Sequence, residues 1–222
     1  MPRLIRLDSP FYRAWSSAAD LVVVNILTLL ACLPVLTAGA ALTACARVTM
    51  EMAREEDSYT VRTWWRSFRG NLAQSLVWWL PVLVLGALAG AMNLWLGQAE
   101  ITGASADGAG LSPTLLAVMR GLVMAGGLIV VGVLVWLVPL VAFFENTVSA
   151  HVANAARLAV GHLGRTVVCL VLLAVPTAVL ALLPVSRLAL GWLMVLLGVA
   201  FLGYLVALVQ RRVIDALREA AR

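Results

Sequence analysis

The chain has 222 residues, of which 63% are hydrophobic and 12% charged, and its mean hydropathy is +0.99. That balance excludes an ordinary water-soluble domain, which needs more polar surface to cover its core. Net charge is +5, and all sixteen basic residues are arginines in short patches between apolar runs; with no continuous basic face, a nucleic-acid partner is excluded and membrane topology explains the charge.

The N-terminal arginines Arg3, Arg6 and Arg13, with Asp8 nearby, precede a first apolar span at 20–36 that contains Asp20 and Asn25. Asp20 falls at the predicted inner boundary beside Arg13, where an anchoring ion pair is available. Asn25 is deeper and suited to bonding another helix. Leu42-Thr43-Ala44-Cys45 resembles a lipoprotein cleavage site, but the apolar stretch starts late and Asp20 interrupts its front, so it reads as membrane helix.

Next comes Pro34-Val35-Leu36-Thr37-Ala38-Gly39, a helix break and restart. Proline removes a backbone donor, Thr37 can cap the following helix, and Gly39 lets backbones approach closely. The following segment, 38–53, carries Arg47 and Glu51 and has sixteen residues. As a helix it covers only about 24 Å of a roughly 30 Å hydrocarbon core. Two readings stay open: a short small-residue helix buried among its neighbours with Arg47 snorkelling to the inner interface, or a re-entrant or interfacial segment with the N-terminus outside.

From 61 to 72, Val61, Trp64, Trp65, Phe68 and Leu72 recur at helical spacing while Arg62, Arg66 and Arg69 line another face. This pattern predicts an amphipathic elbow helix in the inner headgroup region, with the three arginines as membrane-surface contacts. A span at 75–97 follows, containing Gly86-Ala87-Leu88-Ala89-Gly90, a small-xxx-small pattern expected to meet another helix of the chain. The loop at 98–113 has no arginine and reads as external, and a span at 121–144 returns to Glu145-Asn146.

Val148, Val152, Ala155 and Ala159 form a weaker stripe, a second elbow with Arg157 and Arg165 off it. His151 and His162 have no carboxylate or cysteine at ligand spacing and read as surface histidines. Spans at 166–184 and 188–210 are joined by a tight turn at 184–187, and Arg211, Arg212, Arg218 and Arg222 close the chain. On six crossings fourteen arginines are cytoplasmic, leaving Arg120 and Arg187 outside, and both termini are inside. Tryptophans such as Trp64, Trp65, Trp78, Trp79, Trp95 and Trp192 read as an interfacial belt. The cysteines Cys32, Cys45 and Cys169 read as packing residues.

The fold class is therefore all-α, a single polytopic transmembrane bundle over residues 1–222 of about six crossing helices with cytoplasmic elbows. Gly70-Asn71-Leu72-Ala73-Gln74-Ser75 and Gly161-His162-Leu163-Gly164-Arg165-Thr166 look alike, each opening a helix that contains a proline. They suggest repeats of elbow plus hairpin at 8–54, 58–144 and 146–210.

Asn25, the stretch Leu33-Pro34-Val35-Leu36-Thr37-Ala38-Gly39-Ala40-Ala41, Thr43-Ala44, and Trp65-Arg66-Ser67-Phe68-Arg69-Gly70-Asn71 resemble the bacterial YesL family of integral membrane proteins. The resemblance implies a bacterial plasma-membrane protein of unassigned molecular activity, associated with carbohydrate-uptake ABC transporters and their sensor systems. It marks Asn25, Pro34, Thr37, Gly39, Trp65, Phe68 and Asn71 as motif residues. No catalytic motif, metal set or phosphate loop is legible, so the expectation is a non-enzyme with no cofactor or metal. Expected partners are the lipid bilayer and ABC permease subunits or a membrane sensor kinase. The alternative is a small secondary transporter with its site at the break from Pro34 to Gly39.

Overall fold

A backbone threaded through hydrocarbon has no water to bond, and a helix satisfies its N–H and C=O groups within one segment. The long apolar runs of this chain are helical for that reason. The structure, a computed structural model, describes residues 10–56, 59–105, 112–183, 185 and 187–220. These form α1 (Pro10–Cys32), α2 (Ala38–Ala53), α3 (Thr60–Ser105), α4 (Pro113–Phe143), α5 (Val148–Gly161), α6 (Leu163–Leu182), α7 (Arg187–Leu193), a π-helical turn (Met194–Gly198) and α8 (Val199–Ala220). Arg3, Arg6, Asp8, the loop centre at 106–111, the turn residues Pro184 and Ser186, and Arg222 lie outside the described residues, as does the side chain of Arg13 that was expected beside Asp20.

Among the described residues, five helical rods are long and apolar enough to cross a membrane: α1 from Trp15, α3, α4, α6, and α7 through α8. In the most apolar stretch of each, only 11–22% of residues are buried. Leu88, Leu94, Leu122, Ile129 and Leu188 point outward, the reverse of a soluble core. The chain is a multi-pass helical membrane bundle.

The sixth predicted crossing, α2, is the most thoroughly covered helix. Its small residues Ala38, Gly39, Ala40, Ala41 and Ala44 are buried, which lets α1, α3, α4 and α8 all pack against it. Gly39 abuts Trp79 at one end, and at the other Ala53 and Arg54 meet the C-terminal part of α8. Arg47, whose side chain is partly exposed, has protein partners. It pairs with Glu51 at 2.7 Å and donates from Nη1 to the Ala142 carbonyl at 2.8 Å.

Four further expectations change. The first elbow is not a separate helix: with no proline before Pro81, residues 60–105 run as one α-helix of about 69 Å at 1.5 Å per residue, over twice the hydrocarbon thickness. The second elbow does break, at His162 between α5 and α6, so the two similar segments adopt different geometry. Trp64 and Trp78 are core residues, 1% and 3% exposed, whereas Trp15, Trp65, Trp95 and Trp192 are exposed. His151 is 1% exposed, because three residues after Val148 and four before Ala155 it falls on the packed face of α5; His162 is half-buried with its ring 5.6 Å from that of Trp136. Gly86 and Gly90, expected to touch another helix of the chain, face open space, since α2 covers only the N-terminal part of α3.

Candidate functional site

The break between α1 and α2 spans residues 33–37. Pro34 is exposed, and Val35 sits at φ 48°, a left-handed conformation rare for a β-branched residue. The Leu36 N–H turns back to the Pro34 carbonyl. Trp79 Nε1 donates to the Val35 carbonyl at 2.8 Å. Thr37 stands at the N-cap of α2 but does not cap it; its hydroxyl donates back to the Ala31 carbonyl at 2.5 Å, closing the end of α1 instead. Gly39 permits a close helix approach: a Cβ there would lie 2.8 Å from Trp79 Cβ.

Asn25 is fully buried and faces the π-helical turn, 170 residues away in sequence. A π turn shifts the hydrogen-bond ladder and leaves backbone groups without their usual partners. The Asn25 amide nitrogen donates to the carbonyls of Met194 (3.2 Å) and Val195 (2.7 Å), and its oxygen accepts from the Ala200 N–H at 3.0 Å. One turn on, the Thr28 hydroxyl accepts from Trp64 Nε1 at 3.1 Å. Sequence reading missed Thr28, although a polar pair at i and i+3 in an apolar run marks one helix face.

Trp65 and Phe68 do not lie in the break. With Trp64 they form a stacked group, Phe68 5.1 Å from Trp64 and 5.7 Å from Trp65. The Arg69 guanidinium lies 4.5 Å from the centre of the Trp65 ring. Arg62, Arg66 and Arg69 are all exposed. Asn71 bonds locally, donating to the Ser67 carbonyl at 2.9 Å. The predicted residues thus occupy three places: the break, the π-turn contact and the aromatic face of α3.

A further polar cluster was not legible in the sequence. The C-terminal ends of α2, α4 and the basic segment of α8 converge around Phe143, whose ring centre lies 4.4, 4.7 and 5.3 Å from the guanidinium carbons of Arg47, Arg54 and Arg218. Arg54 Nε stands 2.6 Å from Asp215 Oδ1, Arg218 pairs with Glu56 at 3.6 Å, and Arg211 donates to the Ala53 carbonyl at 3.0 Å. These arginines meet helix C-termini, where the aligned peptide dipoles favour cations. Burial pushes the Arg54 pKa down; Asp215 and Glu56 oppose the shift and Arg218 adds to it, but the group stays charged. An open basin of about 480 Å³ lies here, lined by Arg54, Glu56, Arg211, Arg212 and Asp215.

Residues 21–92 match a family described as a protein of unknown function, DUF624. The matched stretch runs from Leu21 in α1 through α2 into α3 and contains all seven motif residues from Asn25 to Asn71. No curated protein and no solved structure matches the chain.

Proposed function

We propose that this chain is a non-catalytic bacterial plasma-membrane component that assists or regulates carbohydrate uptake by ABC systems, working through helix–helix contact with both termini in the cytosol. The observation that carries this reading is the division of α3. Its N-terminal part is tied down by α2 and through the bonds of Trp64 to Thr28 and Trp79 to Val35, whereas Gly86 and Gly90 present a small-residue stripe with none of the described residues against it. A partner helix in the membrane fits such a stripe, since small residues let backbones approach. The resemblance to the YesL family supplies the class of partner, an ABC permease subunit or a membrane sensor kinase.

The rival reading, a secondary transporter with its site at the break, has less support. Two of the carbonyls at the break already accept side-chain bonds, Val35 from Trp79 and Ala31 from Thr37. Affinity purification of the tagged chain from native membranes is expected to retain permease subunits, and Gly86→Leu with Gly90→Leu to lose them while the chain stays in the membrane. Sugar flux by the isolated protein in liposomes, with no permease retained, overturns the proposal in favour of transport.

A further inference from the structure

The basin at the arginine-rich end carries an inference independent of the uptake reading. Its lining is of mixed sign: Arg54, Arg211 and Arg212 against Glu56 and Asp215. A purely anionic group would meet two carboxylates there, and a simple cation three guanidinium groups. A small group carrying both charges satisfies both sets.

Arg54 is the residue whose bonding is least complete. Its side chain is 6% exposed, and none of its three guanidinium nitrogens has an aligned hydrogen bond, although Nε lies 2.6 Å from Asp215 Oδ1. A buried cation with unmet donors is costly, and the planar fork of a guanidinium matches phosphate oxygens in pairs. Arg212, at the same basin, is exposed and has no hydrogen-bond or ion-pair partner among the described residues. Phe143 holds one of the lining guanidinium groups, that of Arg54, 4.7 Å from its ring centre, so the buried member of the positive side is positioned in advance.

Depth selects the source of the ligand. The apolar run of α8 stops at Val209, buried Gln210 follows, and Arg211-Arg212 begin at once, which sets the basin at the level of lipid headgroups. We propose that this basin binds the phosphoethanolamine headgroup of an aminophospholipid, its phosphate held by Arg54 and Arg212 and its ammonium by Glu56 and Asp215. Asp215, 40% exposed, then turns from Arg54 to the ammonium, and phosphate oxygens take the donors it leaves.

The test titrates the full chain in detergent with short-chain phosphatidylethanolamine, phosphatidylcholine and phosphatidylglycerol, reading the dissociation constant and the shift in melting temperature. Phosphatidylethanolamine is expected to bind about tenfold tighter than phosphatidylcholine, which has no ammonium N–H to donate. Glu56→Gln should erase that preference, and Arg212→Gln should weaken phosphatidylethanolamine about tenfold. Both side chains lie at the surface, so the variants are expected to melt like the parent without lipid. Glu55→Gln, outside the lining, serves as the control and should change nothing. O-phosphoethanolamine alone binding as tightly as the lipid would identify a soluble source for the same headgroup chemistry. Equal binding of phosphatidylcholine, tighter binding of phosphatidylglycerol, or an unchanged affinity in Arg212→Gln overturns the proposal.

Discussion

Gln210 closes the hydrogen-bond gap that Pro139 opens. In α4 the missing N–H of Pro139 would have bonded the carbonyl four residues back, that of Val135, and Gln210 Nε2 from α8 donates to that same carbonyl at 2.9 Å. Gln210 is 1% exposed, so the bond is made where water cannot substitute. Gln210→Leu should cost about 1–3 kcal/mol by leaving the carbonyl unmet. Adding Pro139→Ala, which restores the backbone donor, should recover most of that loss. Melting of the single and double variants in detergent checks it, and non-recovery in the double variant counts against the explanation.

The Asn25 contact with the π turn makes a second prediction. Three hydrogen bonds join α1 to the turn and the start of α8, one of them satisfying the Ala200 N–H. Asn25→Leu should destabilise the bundle by about 1–3 kcal/mol and increase amide exchange at Ala200. Unchanged exchange at Ala200 would mean that the turn does not depend on Asn25.

At Gly39 the cost is steric. An added Cβ would stand 2.8 Å from Trp79 Cβ and 3.0 Å from its Cγ, so Gly39→Ala must push α2 away from α3. Overpacking of this kind costs about 1–3 kcal/mol. Trp79→Gly in the same chain, which removes both Cβ and Cγ, should relieve the clash although it gives up the bond to Val35. The two substitutions should therefore be less harmful together than their separate losses summed.

His151 predicts a dependence on pH. Burial lowers its pKa below the ordinary 6.5, against a backbone hydrogen bond with Phe144 that pulls the other way. The unfolded chain takes up the proton first, so stability is full above about pH 6.5, declines as pH drops below it, and levels off beneath the folded-state pKa. Replacing the ring by His151→Leu should flatten the melting temperature between pH 7 and pH 5. A slope equal to the parent's would assign the dependence to other groups.

Much of the fold was legible from composition alone. Uninterrupted apolar runs leave the backbone no option but helix, and they locate α6 to within a few residues and the apolar parts of α1, α4 and the α7–α8 rod, although α1 begins ten residues before the expected span, α4 eight before it, and α8 runs ten past it. The break at 33–37 was equally plain, because proline and glycine act through the backbone whatever surrounds them. Periodicity was a poorer guide to partners: a stripe of Trp64, Trp65 and Phe68 reads the same whether lipid or protein covers it, and here Trp64 is in the core while Trp65 is exposed.

Sequence by itself determined that this chain is a multi-pass helical bundle with its basic residues at the ends of apolar runs, since the cost of burying charge and bare backbone in lipid is local to each segment. Tertiary structure alone decided how each polar group inside the bundle is satisfied. Asn25 meets Val195, Gln210 meets Val135, and Arg54 meets Asp215 across 169 or fewer intervening residues. Such pairings depend on which helix faces are brought together, and neighbours along the chain carry no record of that.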